Sequence, residues 1–133
     1  ITIGSGSVDH VLPRKFAHYD EIKPNEITES GDDYVAANGG SIPVYGSTRM
    51  IGKTDQWAPI NVEWTVAKVR KPLLSSTRLT ENGHHVHLER ENNFIGLSDG
   101  KTKIPLRIIN GCTTFTVWRK KQKPLDAGFP WQD

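Results

Sequence analysis

Apolar residues recur along this chain in short stretches that are separated by turn residues. The segment from 58 to 69 alternates most regularly, with Ile60, Val62, Trp64, Val66 and Lys68 on one side. A period of two is the pattern of a half-buried strand. Because turn signals recur about every 8–12 residues, the pattern predicts an all-β fold, a closed barrel or a sandwich.

A hairpin is predicted between residues 34 and 45. An apolar strand from 34 to 37 is followed by Asn38-Gly39-Gly40, and the segment from 41 to 45 returns with alternating apolar positions. Asn-Gly is one of the strongest short hairpin signals. Because Pro43 removes a ladder donor, we expect this hairpin at a sheet edge or projecting from the body.

The other elements are less regular. The segment 73–83 begins apolar and continues with helical spacing, and Gly83 suits a C-terminal cap, so one short helix is predicted there. The pattern predicts one helical turn over 14–20, a polar loop over 22–33 and a turn over 52–56. Later strands are predicted over 84–90, 94–97, 103–110 and 113–120.

The start of the chain has a strand, a tight turn and a second strand. The β-branched run Ile1-Thr2-Ile3 breaks at Gly4-Ser5-Gly6-Ser7, and apolar residues resume through Val11. Glycine accepts a positive φ or the close approach of a ligand or a partner chain. The same four residues also match a flexible linker, so local sequence leaves both interpretations open.

Length, charge and cysteine content narrow the class of protein. The 133 residues suit one domain, and the single Cys112 excludes an internal disulfide framework and indicates a reducing compartment. No apolar run could span a membrane and no signal-peptide pattern precedes the turn, so we expect a cytoplasmic protein without a membrane partner. The net charge of +2 is too small to indicate nucleic acid, and the basic residues 119–123 are interpreted as a solvated strand end.

Candidate chemistry is sparse. His85 and His87 fall on one strand face beside His84, without an acidic or cysteine partner at a recognised spacing, so neither a metal nor a cofactor is predicted. The chain also lacks a nucleophile elbow and a phosphate-binding loop.

The order of the segments resembles the retropepsins, the aspartic proteases of retroelement polyproteins, over residues 1 to about 120. Residues 36–46 are similar to the flap hairpin of that family and its return. Residues 69–79 are similar to its hydrophobic-hydrophobic-Gly segment and helix, with Ser75 in place of the usual glycine. The resemblance implies a homodimeric endopeptidase of polyproteins with one aspartate from each chain.

The catalytic turn of the family, Asp-Ser/Thr-Gly-Ala/Ser, aligns with Ser5, Gly6 and Ser7 and leaves Gly4 at the aspartate position. In the family two carboxylates share a proton, and one activates water while the other polarises the scissile carbonyl. Gly4 supplies neither function, so we expect binding without cleavage. We expect Asp9 to pair with a base such as Arg78 or to face solvent.

The resemblance also implies an extended peptide between flap and floor. It assigns substrate contacts to Ser7, Asn38, Gly39, Gly40, Ser41, Leu73 and Leu74. Only three residues precede the turn, so we expect dimerisation through the turn region without the family's N-terminal interface strand. Residues 1–122 form the predicted domain and 123–133 a linker, in which Phe129-Pro130 resembles a maturation site.

Two explanations of Gly4 stay open: a substitution made to prevent self-cleavage, or a natural loss in a decayed or repurposed element. The alternative function is a non-catalytic dimerisation or peptide-binding module of the same fold. A third, less favoured hypothesis is an RNA-binding barrel that uses Trp57, Trp64 and Trp118 with the basic end.

Overall fold

The computed structural model describes residues 1–4, 6–17, 21–36 and 38–120. The fold is all-β, as predicted. Ser5 and the predicted linker 123–133 lie outside the described residues. The strands are β1 (Thr2–Gly4), β2 (Val11–Pro13), β3 (Tyr34–Val35), β4 (Ser41–Ile42), β5 (Val44–Thr54), β6 (Pro59–Ala67), β7 (Leu73–Ser75), β8 (His85–His87), β9 (Phe94–Gly96), β10 (Lys103–Pro105), β11 (Arg107–Ile109), β12 (Cys112–Thr114) and β13 (Val117–Lys120).

Most strands join one curled, eight-stranded sheet. Its order is β11-β12-β1-β7-β2-β6-β5-β13, and β10-β9-β8 and β3-β4 form two smaller sheets. The predicted alternation of β6 is confirmed up to Val66, because Trp64 and Val66 are buried whereas Asn61 and Glu63 are exposed, but it ends at Ala67, which is also buried. The curled sheet covers an apolar core that includes Leu12, Trp64, Leu74, Ile95 and Ile104.

The described residues form two short helices, α1 (Glu26–Ser30) and α2 (Ser76–Glu81), and a 3-10 turn at Arg14–Phe16. The prediction of a loop over 22–33 is wrong for α1, because Asn25 and Thr28 form a capping box that begins a helix. The helix predicted from residue 73 begins only at Ser76, because the preceding three residues form β7. Among the described residues, none of the helices is long and apolar enough to cross a membrane.

The turn predicted at 52–56 begins only at Asp55, because β5 continues through Thr54. A Cβ atom on Gly52 would lie 2.6 Å from the carbonyl oxygen of Trp118, so this glycine allows β13 to approach β5 and does not form a turn. The predicted strand 103–110 is also interrupted, because the buried Leu106 donates its N–H to Asn93 O at 2.8 Å. The predicted strand 113–120 divides into β12, which pairs with β1 and β11, and β13, which pairs with β5.

Candidate functional site

The turn after β1 lies at the end of strand β7. The two strands are parallel neighbours, with Ile3 beside Leu74 and Gly4 beside Ser75. On its other side, β7 contacts β2 through the antiparallel pair Leu73 and Val11. The segment that joins β1 to β2 therefore passes the end of β7, where α2 begins. The structure thus brings the predicted catalytic turn beside the predicted Leu73-Leu74-Ser75 segment.

Gly4 has no conformational need to be glycine. Its φ lies outside the positive range, and a Cβ atom there would meet Leu73 Cδ2 at 3.6 Å and Ser7 Cβ at 3.8 Å, which are ordinary contacts. Gly46 shows the contrast, since its φ is +144° and a Cβ atom would lie 2.3 Å from Lys23 O. The backbone at position 4 therefore accepts a side chain, whereas the backbone at position 46 requires glycine.

Ser75 is the hydrogen-bonding centre beneath the turn. It is fully buried, and its hydroxyl donates to the carbonyl oxygen of Ser7 at 2.7 Å. The same hydroxyl accepts the Arg78 N–H at 3.1 Å, which caps α2. Ser75 therefore joins the turn, β7 and α2, a role that a glycine at this position would not fill.

His10 fixes the other side of the turn. Its Nδ1 accepts the Ser75 N–H at 2.9 Å, and its ring lies edge-on to Trp64 with centroids 6.0 Å apart. An accepting Nδ1 requires the unprotonated nitrogen. Burial and then the nearby Arg78 lower the pKa of His10, with Asp9 opposing them, so the neutral imidazole is favoured.

Asp9 links three elements. Its Oδ2 accepts the Tyr34 hydroxyl at 2.6 Å, and its Oδ1 accepts Arg78 Nε at 2.8 Å and also contacts Arg78 Nη2. The predicted pairing of Asp9 with Arg78 is confirmed. The contact with Tyr34 was not predicted, and it connects strand β3 of the hairpin to the segment that follows the predicted catalytic turn.

The contacts among Asp9, Tyr34 and Arg78 favour one protonation state for each residue. Burial raises the pKa of Asp9, but hydrogen bonds from Tyr34 and Arg78 outweigh burial, so the net pKa is lowered. Burial and then the Asp9 hydrogen bond raise the pKa of Tyr34 to about 12. The stable arrangement is a carboxylate that accepts from a neutral phenol and a guanidinium.

The predicted hairpin forms its own two-stranded sheet. Tyr34 pairs with Ile42 and Val35 with Ser41, while Gly39 takes a φ of +85° in the turn. The side-chain oxygen of Asn38 accepts the Gly40 N–H at 2.9 Å. All four predicted contact residues of the hairpin are exposed: Asn38, Gly39, Gly40 and Ser41.

The predicted site residues fall into three groups. Gly4, Ser7 and Leu73 lie together at the turn, and Gly6 is exposed. Leu74 is 2% exposed and packs in the core, which leaves Leu73 as the member of the pair that contacts the turn. The hairpin residues form the third group, joined to the turn through Tyr34 and Asp9.

The histidine strand has local partners. His87 Nε2 lies 2.6 Å from Glu89 Oε1, and the His87 ring stacks on the Phe94 ring with centroids 4.7 Å apart. Over the part of the chain that the structure describes, no three His, Cys, Asp or Glu side chains are grouped so that they could hold a metal ion.

Comparisons with protein-family models, curated proteins and solved structures found no match for this chain.

Proposed function

We propose that this chain is a retropepsin-like aspartic endopeptidase domain that acts as a homodimer and binds extended peptides without cutting them. One observation carries the proposal: Gly4 ends a strand with ordinary φ, beside Ser75 of the paired strand, and a Cβ atom there would make only ordinary contacts. A glycine without a conformational reason, at the position where the resemblance places the catalytic aspartate, is consistent with replacement of that aspartate.

In the proposed mechanism, a carboxylate at position 4 projects beside Leu73 and Ser7 at the end of the strand pair. Two copies, each with its carboxylate near the two-fold axis, share one proton because like charges at close range do not both ionise. One carboxylate takes a proton from the attacking water, and the protonated one polarises the scissile carbonyl. The substrate adds an extended strand between the hairpin and the floor formed by β1 and β7.

Restoring the carboxylate tests this proposal. Gly4→Asp is expected to cleave a library of extended peptides at mildly acidic pH as a dimer, with inhibition by pepstatin and products identified by mass spectrometry. Gly4→Asn is the matched control, because it has nearly the same shape without an acid. Since each acid or base function contributes roughly 10²- to 10⁴-fold, the unchanged chain and Gly4→Asn are expected to show no measurable cleavage. A dimeric Gly4→Asp without pepstatin-sensitive cleavage contradicts the proposal.

The alternative is a non-catalytic module that binds peptides or dimerises through the same surfaces. Gly4 itself favours it, because the chain as it stands has no carboxylate at this position. This module predicts that Gly4→Asp restores no cleavage, while the unchanged chain still binds an extended peptide or its own copy. Analytical ultracentrifugation and peptide-binding measurements on both variants distinguish the two functions.

A further inference from the structure

Two tryptophans that are distant in sequence face one cleft. The cleft has a volume of about 330 Å³ and is lined by Thr54, Asp55, Trp57 and Trp118. Trp57 is 71% exposed and Trp118 is 59% exposed. Tryptophan is highly buried on average, so two exposed indoles at one cleft indicate a surface that binds something.

The backbone at Trp57 is unusual. Trp57 N–H donates to Thr54 O at 2.9 Å, which closes the turn between β5 and β6, and Ala58 N–H donates to Thr54 Oγ1 at 3.2 Å. Trp57 then takes a φ of +63°. Hairpins place Gly or Asn at this left-handed position, and a bulky aromatic there is strained. Such strain is found mainly at functional sites, and here it holds an indole at the rim of the cleft.

Charged side chains fix and flank the second indole. Trp118 Nε1 donates to Asp55 Oδ1 at 2.8 Å, and Asp55 Oδ2 lies 3.6 Å from Arg107 Nη2. Lys53 is directly opposite Trp118 in the β5–β13 ladder, and its Nζ lies 5.6 Å from the centre of the Trp57 ring. Arg107 balances the charge of Asp55, so the ammonium of Lys53 gives the cleft a net positive charge.

We propose that this cleft binds single-stranded nucleic acid. Bases stack on aromatic side chains irrespective of sequence, and cations beside the rings attract the phosphates. Trp57 and Trp118 supply the exposed rings, and Lys53 supplies a cation beside the Trp57 ring. Trp64 takes no part because it is fully buried. The cleft lies on the β5–β6 turn and β13, so the inference is independent of the function proposed for Gly4.

Removing either indole tests the stacking. Binding of a fluorescein-labelled ten-nucleotide oligo(dT) is measured by anisotropy at 50 mM salt. Trp57→Gly suits the positive φ, so it is expected to weaken binding roughly five- to 150-fold without lowering the melting temperature. Trp118→Ala is expected to weaken binding by a similar factor. Leu88→Ala, which truncates an apolar side chain that is 58% exposed elsewhere, is the control and is expected to change nothing.

The charge is tested separately. Lys53→Gln is expected to weaken binding and to reduce its salt dependence, whereas Lys101→Gln, at an exposed lysine in another loop, is expected to do neither. With one phosphate contact, from Lys53, affinity of the unchanged chain should fall about 2.6-fold between 50 and 200 mM salt. The proposal is overturned if oligo(dT) does not bind, if Trp57→Gly binds normally, or if poly-glutamate binds equally well through the same tryptophans.

Discussion

Different interactions hold two regions of the site in place. One region is the floor, formed by β1 and β7, and the other is the hairpin of β3 and β4. In the floor, Leu74 is 2% exposed and Ser75 is fully buried, and β7 pairs with strands on both sides. In the hairpin, the two-residue strands pair with each other and with no other described strand, and Ser41 Oγ donates to the exposed Asp33 at 2.6 Å. Apolar burial and satisfied polar groups fix the floor, whereas a few exposed hydrogen bonds fix the hairpin.

This difference separates global from local stability. A substitution in the floor leaves buried groups without their partners, and these groups are buried only when the whole domain is folded. It therefore lowers the free energy of unfolding. A defect in the hairpin frees only a segment with few buried contacts, so it increases local opening. Asp9 lies between the two regions and is bound to both through Tyr34 and Arg78.

The largest expected effect is that of Ser75→Ala. The Ser7 carbonyl loses its donor and the Arg78 N–H loses its cap, so we expect the free energy of unfolding to fall by about 2 to 4 kcal/mol. Urea denaturation measures the change. Ser98→Ala, at an exposed serine, is the control and should stay within about 0.5 kcal/mol. Equal stability of the two variants would show that Ser75 does not hold the floor.

Local signals in the sequence predicted the hairpin and the alternation of β6, because turn residues and burial on one face act within a few residues. The role of Ser75 was missed, although a serine that begins a helix is a capping signal. The structure around the Gly4–Ser7 turn depends on contacts between residues that are distant in the chain. Ser75 and His10, for example, are hydrogen-bonded although they are 65 positions apart. Hydrophobic periodicity contains no information on such contacts.

The same limit explains the error at Gly52. Gly52 is typical of a turn in sequence, but the approach of Trp118 from β13 determines its role. The cleft between Trp57 and Trp118 exists only once β13 has paired with β5. Contacts that depend on the pairing of distant strands therefore cannot be predicted from short segments of sequence.

A smaller effect is expected for Asp9→Asn. Loss of the charge weakens the bonds from Tyr34 and Arg78, so at pH 7 we expect a cost of about 1 to 2 kcal/mol. The pKa of Asp9 in the folded chain is below its ordinary value of 3.8. Its stabilising contribution is therefore complete above pH 3.8 and is lost as the pH falls through the lower folded value.

Urea denaturation between pH 7 and pH 2 should show the unchanged chain and Asp9→Asn converging in stability as the pH falls. Glu63→Gln is the control, because Glu63 pairs with Arg49 at 2.9 Å on an exposed strand face. Such a surface pair contributes at most about 1 kcal/mol. If Asp9→Asn and Glu63→Gln lower the free energy of unfolding equally at pH 7, Asp9 does not link the floor to the hairpin.

The smallest effect on stability, and the most local one, is expected for Tyr34→Phe. Loss of the hydroxyl frees the hairpin from Asp9 at a cost of about 1 kcal/mol, so its amides should exchange roughly fivefold faster. The Ala36 N–H, which donates to Gly40 O at 2.7 Å, reports this opening.

Titration of the same variant gives a second measurement. Burial and then the Asp9 hydrogen bond raise the pKa of Tyr34 to about 12, so the stability that depends on its neutral hydroxyl is complete below pH 10 and is lost as the pH rises through about 12. Ultraviolet titration should therefore show a phenol that ionises near pH 12 in the unchanged chain and in Tyr45→Phe, but not in Tyr34→Phe. If that late phase persists in Tyr34→Phe, or the Ala36 amide exchanges at its original rate, the hairpin is held by its own turn and the contact between Tyr34 and Asp9 does not couple it to the floor.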